Sequence, residues 1–313
     1  MEASDEEFDA DEVQNLLKLL DSLIPDFVQN SIWEVKMDQS FMKEKAVMPL
    51  VISMAIPMTI SMLVNSLYNI IDSFYVAKIS EQAMTALSLV YPAQNLLTAV
   101  TVGFAIGVNA VIAYYLGAGL KKLADTAATL GLIFNILHGF LIGTICIVGM
   151  PAFLGRFSSD SEIIHLGTQY ANIVFLFGIP IGAGISYEKI FQAIGRMKVS
   201  MVSMLVGCVV NIILDPLMIF GFGPIPAMGI KGAAWATGIG QVVSLVIYLA
   251  VYFKDLDNIP VRISLKNLTE SGRTLKKMYG IGIPATLNLA LPSFMITVLN
   301  GILAAYSASY VLV

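Results

Sequence analysis

Charge is what this sequence has least of. Only 13% of its 313 residues are Asp, Glu, Lys or Arg, against 57% hydrophobic, where a soluble domain carries about a quarter charged. The mean hydropathy is +0.79. A water-exposed surface cannot be built from so few charges, so a soluble globular chain is excluded. Cysteine is equally scarce. The two present, Cys146 and Cys208, both fall in apolar stretches and offer neither a disulfide framework nor metal-ligand spacing; they read as packed thiols. A phosphate-binding loop, a zinc motif and a nucleophile triad are all missing, so no enzyme is expected and no cofactor beyond an ion. The start "MEASDEEFDADEV" is acidic where a cleavable signal peptide is basic.

What the chain has instead is long apolar runs. About 20 such residues cross the ~30 Å hydrocarbon core. Seven windows qualify, at 49–76, 84–114, 124–150, 163–187, 199–221, 229–253 and 279–312. An all-α polytopic membrane protein follows. With the N-terminus placed in the cytoplasm, fifteen Lys and Arg fall inside and three (Lys78, Arg156, Lys231) outside, which sets the direction. Residues 1–45 form an acidic cytoplasmic extension, in which Val13, Leu16, Leu17, Leu20 and Ile24 recur at helical spacing.

A weak repeat organises the rest. "ISMAIPMTISMLVNSLYNI" (52–70) and "YGIGIPATLNLALPSFMIT" (279–297) share four identities in nineteen, around I-P-x-T. Both follow a basic stretch and run outward, as parallel six-span repeats do. This predicts a first six-helix lobe over 46–255, a cytoplasmic linker over 256–278 and the first helix of a second, truncated lobe over 279–313.

Several polar residues stand where lipid should not tolerate them. Asp costs about 2.5–3.5 kcal/mol at a helix centre, and Pro breaks backbone bonding, yet Asp215 and Pro216 sit together in the fifth span. At 1.5 Å per residue Asp215 lies about 25 Å from the cytoplasmic end, and Thr237 roughly 12 Å in from the outer end of the sixth span. Asp72 sits near the outer end of the first, and Asn211 precedes Asp215 by four on the same helix face. Carboxylates, an amide, a hydroxyl and carbonyls released by Pro57 and Pro216 suit a small hard cation or a proton. Asp–Pro equally suits a helix start, with Asp215 as the N-cap, and Asp72 could merely mark the water interface. Tyr68, Asn69, Gln94, Asn95, Asn109 and Asn172 are candidates to line a wet cavity or bond between helices. His138 reads as a packed histidine rather than a proton relay. Glu188 and Lys189 read as a solvated ion pair.

These residues resemble a known family. "NIILDPLMIFGFGPIPAMGIKGAAWAT" is similar to the N-x-x-x-D-P…G-x-x-G-A-A-x-A-T signature of MATE (multidrug and toxin extrusion) transporters. "AIPMTISMLVNSLYNIIDSFYVAKIS" resembles their first span, with a bend proline fifteen residues before an aspartate, and "FQAIGRMKVSM" their fourth-to-fifth-span loop. The resemblance covers 46–313. It implies twelve helices in two lobes, and export of organic, often cationic, compounds across the plasma membrane driven by Na⁺ or H⁺. It also implies a coupling-ion site at Asp72, Asn211, Asp215 and Thr237, and a bend at Pro57. Pro284 aligns with Pro57 in the repeat. A full-length monomer embedded in the bilayer, with no nucleic-acid partner, is expected. The other readings are a flippase for a lipid-linked sugar and a non-transporting scaffold acting through the acidic extension.

Overall fold

A computed structural model describes residues 46–265, 268 and 270–306. The amphipathic pattern at Val13–Ile24 lies outside the described residues. Among the described residues eight helices follow one another: α1 (Val47–Ala77), α2 (Glu81–Gly117), α3 (Lys121–Leu154), α4 (Ser161–Leu176), α5 (Gly178–Ala193), α6 (Met197–Ile219), α7 (Ile230–Lys254) and α8 (Ser271–Tyr306). Six are long and apolar enough to cross a membrane singly, and α4 with α5, bent by 47° between them, passes the same test only as a pair. The bend has a local cause. Pro180 has no N–H for the carbonyl of Leu176, and Gly178 sits so close to α3 that a Cβ on Gly139 would stand 2.0 Å from the Gly178 oxygen.

The last span, α8, begins at Ser271 rather than near 279, inside the stretch read as a linker. Hydropathy registers only the lipid-buried part of a helix. Arg273, Lys276 and Lys277 are good helix formers and carry α8 on into the polar zone. The linker before it is strapped to the lobe: the backbone N–H groups of Arg262, Ile263 and Ser264 donate to Asp125 Oδ1, the Tyr252 hydroxyl and Thr129 Oγ1 at 2.7, 2.9 and 3.0 Å.

Lipid supplies no hydrophobic drive between helices, so close packing must do the work. The α6–α7 hairpin shows how. Its seam pairs Ser203 with Ser244, Gly207 with Gly240 and Asn211 with Thr237. At the hairpin's end, Gly229 takes φ 54°, which glycine adopts without strain. Gly232 lies against the α6 backbone, and Ala233, Ala234 and Ala236 are fully buried. The G-x-x-G-A-A-x-A-T pattern is therefore a packing pattern.

α8 lies in the groove between α2 and α3. Gly103 touches Thr286 and Gly107 touches the Met278 carbonyl. The Tyr279 hydroxyl and His138 Nε2 are 3.0 Å apart, with the Phe104 ring 4.8 Å from each of the two rings. His138 is thus packed and bonded, as its apolar setting suggests. Tyr279→Phe should keep the packing and lose this bond, lowering stability by about 0.5–1.5 kcal/mol in a thermal melt. A shifted pH profile of transport with an unchanged melt would instead give His138 a proton-carrying role.

Glu188 and Lys189 differ from the solvated pair read from their position. Their side chains are only 14% and 12% exposed and 2.8 Å apart, and Gln192 bonds both, at 2.7 and 3.0 Å. The neighbouring helices close over them: Asn109 of α2 donates to the Lys189 carbonyl and Ser200 of α6 to the Glu188 carbonyl. Arg196, in the α5–α6 turn, pairs with Asp255 at the end of α7.

Candidate functional site

Asp215 does not start a helix. α6 runs unbroken from Met197 to Ile219 with Pro216 inside it, so the N-cap reading fails and Asp215 is a mid-helix carboxylate with no solvent exposure at all. Asn211, one turn earlier and 2% exposed, donates from Nδ2 to Asp215 Oδ1 at 3.3 Å and to Thr237 Oγ1 of α7 at 3.4 Å. The second bond exists because the glycine seam lets the two backbones approach. Three of the four predicted site residues are therefore in direct contact.

The fourth comes from α1. This helix has only Ser61, Asp72 and Val76 buried among its described residues and packs mainly along α6. Asp72 is 7% exposed, so it does not mark a water interface. It lies within electrostatic reach of Asp215, and Tyr68 and Tyr170 lie within reach of both carboxylates. Gln94 of α2 donates to the Tyr170 hydroxyl at 3.3 Å. Pro57, four turns below Asp72, leaves Ser53 without its usual i+4 donor, while its own carbonyl accepts from Ser61 at 2.9 Å.

Three side-chain oxygens in this cluster are buried and have no hydrogen-bond partner among the described residues: Asp72 Oδ1, Asn211 Oδ1 and Asp215 Oδ2. Each is an acceptor without a donor, and a buried unmet acceptor costs about 1–3 kcal/mol, more if charged. All are hard oxygens. Hard oxygens of this kind suit a small hard cation or a proton better than a soft metal.

Not every polar residue read from the sequence joins the cluster. Asn69 bonds back to Asn65 on its own helix at 2.9 Å, Asn172 is exposed, and no hydrogen bond from the described residues reaches half-buried Asn95. Tyr170 was missed. Its signal lay in the stripe Ile163, Gly167, Tyr170, Ala171 and Val174, the buried face of α4. Asn172, about 200° round the helix from Tyr170, could not share that face.

The MatE family model matches residues 57–217, which span Pro57, Asp72, Asn211, Asp215 and Pro216. The chain belongs to the MATE family. It is similar to the multidrug export protein MepA of Staphylococcus aureus: 29% identical over 278 residues to that of strain NCTC 8325 / PS 47, and 30% over 281 to that of strain MRSA252. Either alignment covers 87% of this chain. The chain spans 59% of the length of these relatives. Among solved structures it resembles a MOP superfamily transporter from Pyrococcus furiosus, with TM-score 0.74 and 25% identity, over 82% of this chain and 56% of that one. It also resembles a multidrug resistance MATE transporter in an outward-facing conformation, with TM-score 0.68 and 28% identity, over 77% and 52%. The MATE architecture accounts for an all-helical, multi-pass membrane protein.

Proposed function

We propose that the protein is a cation-coupled antiporter, exporting organic, often cationic, compounds across the plasma membrane against inward movement of Na⁺ or H⁺. Asp72, Asn211, Asp215 and Thr237 form the coupling site. The observation that carries this reading is the group of three buried, donorless oxygens on α1 and α6. The MepA relatives are named as multidrug export proteins, which supports the direction and the class of substrate.

The bound cation supplies the positive charge that lets two desolvated carboxylates lie together. Empty, the two acids repel; occupied, they are held. α1 is the least buried of the six single-helix spans and carries a proline, so it is the element that can yield to this change in force. Asn211 holds Asp215 and Thr237 in register throughout. A cationic compound and the coupling ion compete for the same negative charge, which is the physical basis of exchange. The side chains of the cluster are acidic or neutral, which suits a cationic cargo better than the pyrophosphate of a lipid-linked sugar. The fifteen-to-three charge bias favours an N-terminus in the cytoplasm.

The test is drug accumulation in cells expressing the complete gene, with the sodium and proton gradients collapsed separately. Export should stop when one of them is lost. Export that survives the loss of both would defeat the coupling reading. The repeat adds a second expectation. Aligning Pro57 with Pro284 sets Leu299 opposite Asp72, and Leu299 is half exposed on α8, so the second repeat's first helix has no matching acid. Asp72→Asn should change the ion dependence of export, and Leu299→Ala should change only expression or stability. An equal shift from both substitutions would contradict a coupling site confined to the first lobe.

A further inference from the structure

The α2–α3 turn and the start of α8 bring five cations to the same end of the bundle. The Tyr115 hydroxyl lies 3.4 Å from Thr274 Oγ1, and Lys277 Nζ stands 4.8 and 4.9 Å from the ring centroids of Tyr114 and Tyr115. These contacts fix the first turns of α8 against the last turn of α2. α2 ends at Gly117, and α3 opens at Lys121 after a turn in which Gly119 takes φ 73°. The start of α3, with Lys121 and Lys122, and the start of α8, with Arg273, Lys276 and Lys277, therefore lie at the same end of the bundle, and all five side chains are exposed.

The nearby acids neutralise only part of this charge. Glu270 pairs with Arg273 at 3.1 Å. Asp125 accepts the Arg262 backbone N–H through its Oδ1. The first turns of α3 and α8 contain no acid, and among the described residues no carboxylate pairs with Lys121, Lys122 or Lys276. Exposed apolar side chains lie at the same end: Tyr114, Leu120 and Ile281 are 61%, 46% and 42% exposed. Cations at the end of spans, with exposed apolar surface running away from them, match a molecule that is anionic at one end and hydrocarbon at the other.

We propose that this patch binds the headgroup of an anionic phospholipid, which bridges the α2–α3 turn to α8. Lys121, Lys122 and Lys276 hold the phosphate, and the acyl chains lie along the apolar flank. The proposal rests on the membrane placement of the family and not on the ion-coupling reading.

Native mass spectrometry of the purified protein, expressed from its complete gene and offered equal amounts of phosphatidylglycerol and phosphatidylcholine, tests it. The wild type should retain phosphatidylglycerol over phosphatidylcholine by at least about tenfold, since each Lys near the surface adds to anion attraction, and added salt should weaken the preference. Lys121→Gln, Lys122→Gln and Lys276→Gln combined should bring the ratio close to one with unchanged helix content. Lys231→Gln, on the opposite face, should leave it as in the wild type. Equal retention of both lipids by the wild type would overturn the proposal, as would a preference that survives the triple substitution. A thermal shift by inorganic phosphate alone as large as that by phosphatidylglycerol would overturn the lipid assignment in favour of a free anion site. Lipid retention reads no export, so its failure would leave the coupling site untouched, and a failure of coupling would leave the lipid result standing.

Discussion

Asp215→Asn should abolish ion-coupled export while the protein still inserts and folds. The substitution is nearly isosteric, and the amide oxygen can still accept from Asn211 Nδ2, now 3.3 Å from Asp215 Oδ1. Packing around this fully buried position is therefore kept. What disappears is a charge that a cation or proton can neutralise, and coupling depends on that cycle. Insertion becomes easier, because a carboxylate costs about 2.5–3.5 kcal/mol at a helix centre on insertion scales. The measurement is drug efflux at matched expression in the complete gene product, with thermal stability measured in parallel. Wild-type resistance at wild-type expression would remove Asp215 from the coupling site.

Gly232→Val should disable the protein by a different route. A Cβ at Gly232 would meet the Met218 carbonyl oxygen and carbon at 2.4 and 2.5 Å and the Ile219 nitrogen at 2.7 Å. All three are backbone atoms and cannot rotate away. α7 must then move off the last turn of α6, one turn beyond Asp215. Overpacking of this kind costs about 1–3 kcal/mol or more, a large part of the ~5–15 kcal/mol that keeps a domain folded. The separation also stretches the Asn211–Thr237 bond, already 3.4 Å. The folded yield after detergent extraction should drop severalfold, and the surviving fraction should lose ion dependence. Gly149→Val is the control, since nothing lies within 4 Å of a Cβ there. A Gly232→Val protein as stable as Gly149→Val would show that α6 and α7 are not held by this contact.

The spans, their number and the depth of their polar residues could be read from the sequence because they are local properties. Hydropathy sums over neighbours in the chain, and helix pitch turns residue number into depth. That reasoning set Asn211 and Asp215 on one face and Thr237 at their level. Local chemistry could not say whether Asp215–Pro216 began a helix or interrupted one, since both are good uses of Asp–Pro. That was decided by α7, whose small residues pack against an α6 that continues past the proline. The tertiary structure also decided what no span-by-span reading contains. Tyr170 joins the acids because α4 packs its buried stripe among α2, α3 and α7, within reach of both carboxylates. Glu188 and Lys189 lose their water because α2 and α6 close over them. α8 lies on α2 because Gly103, Gly107 and Gly282 let the backbones touch. Each of these outcomes depends on which faces meet, a pairing between residues far apart in the chain, and neither hydropathy nor pitch carries that information.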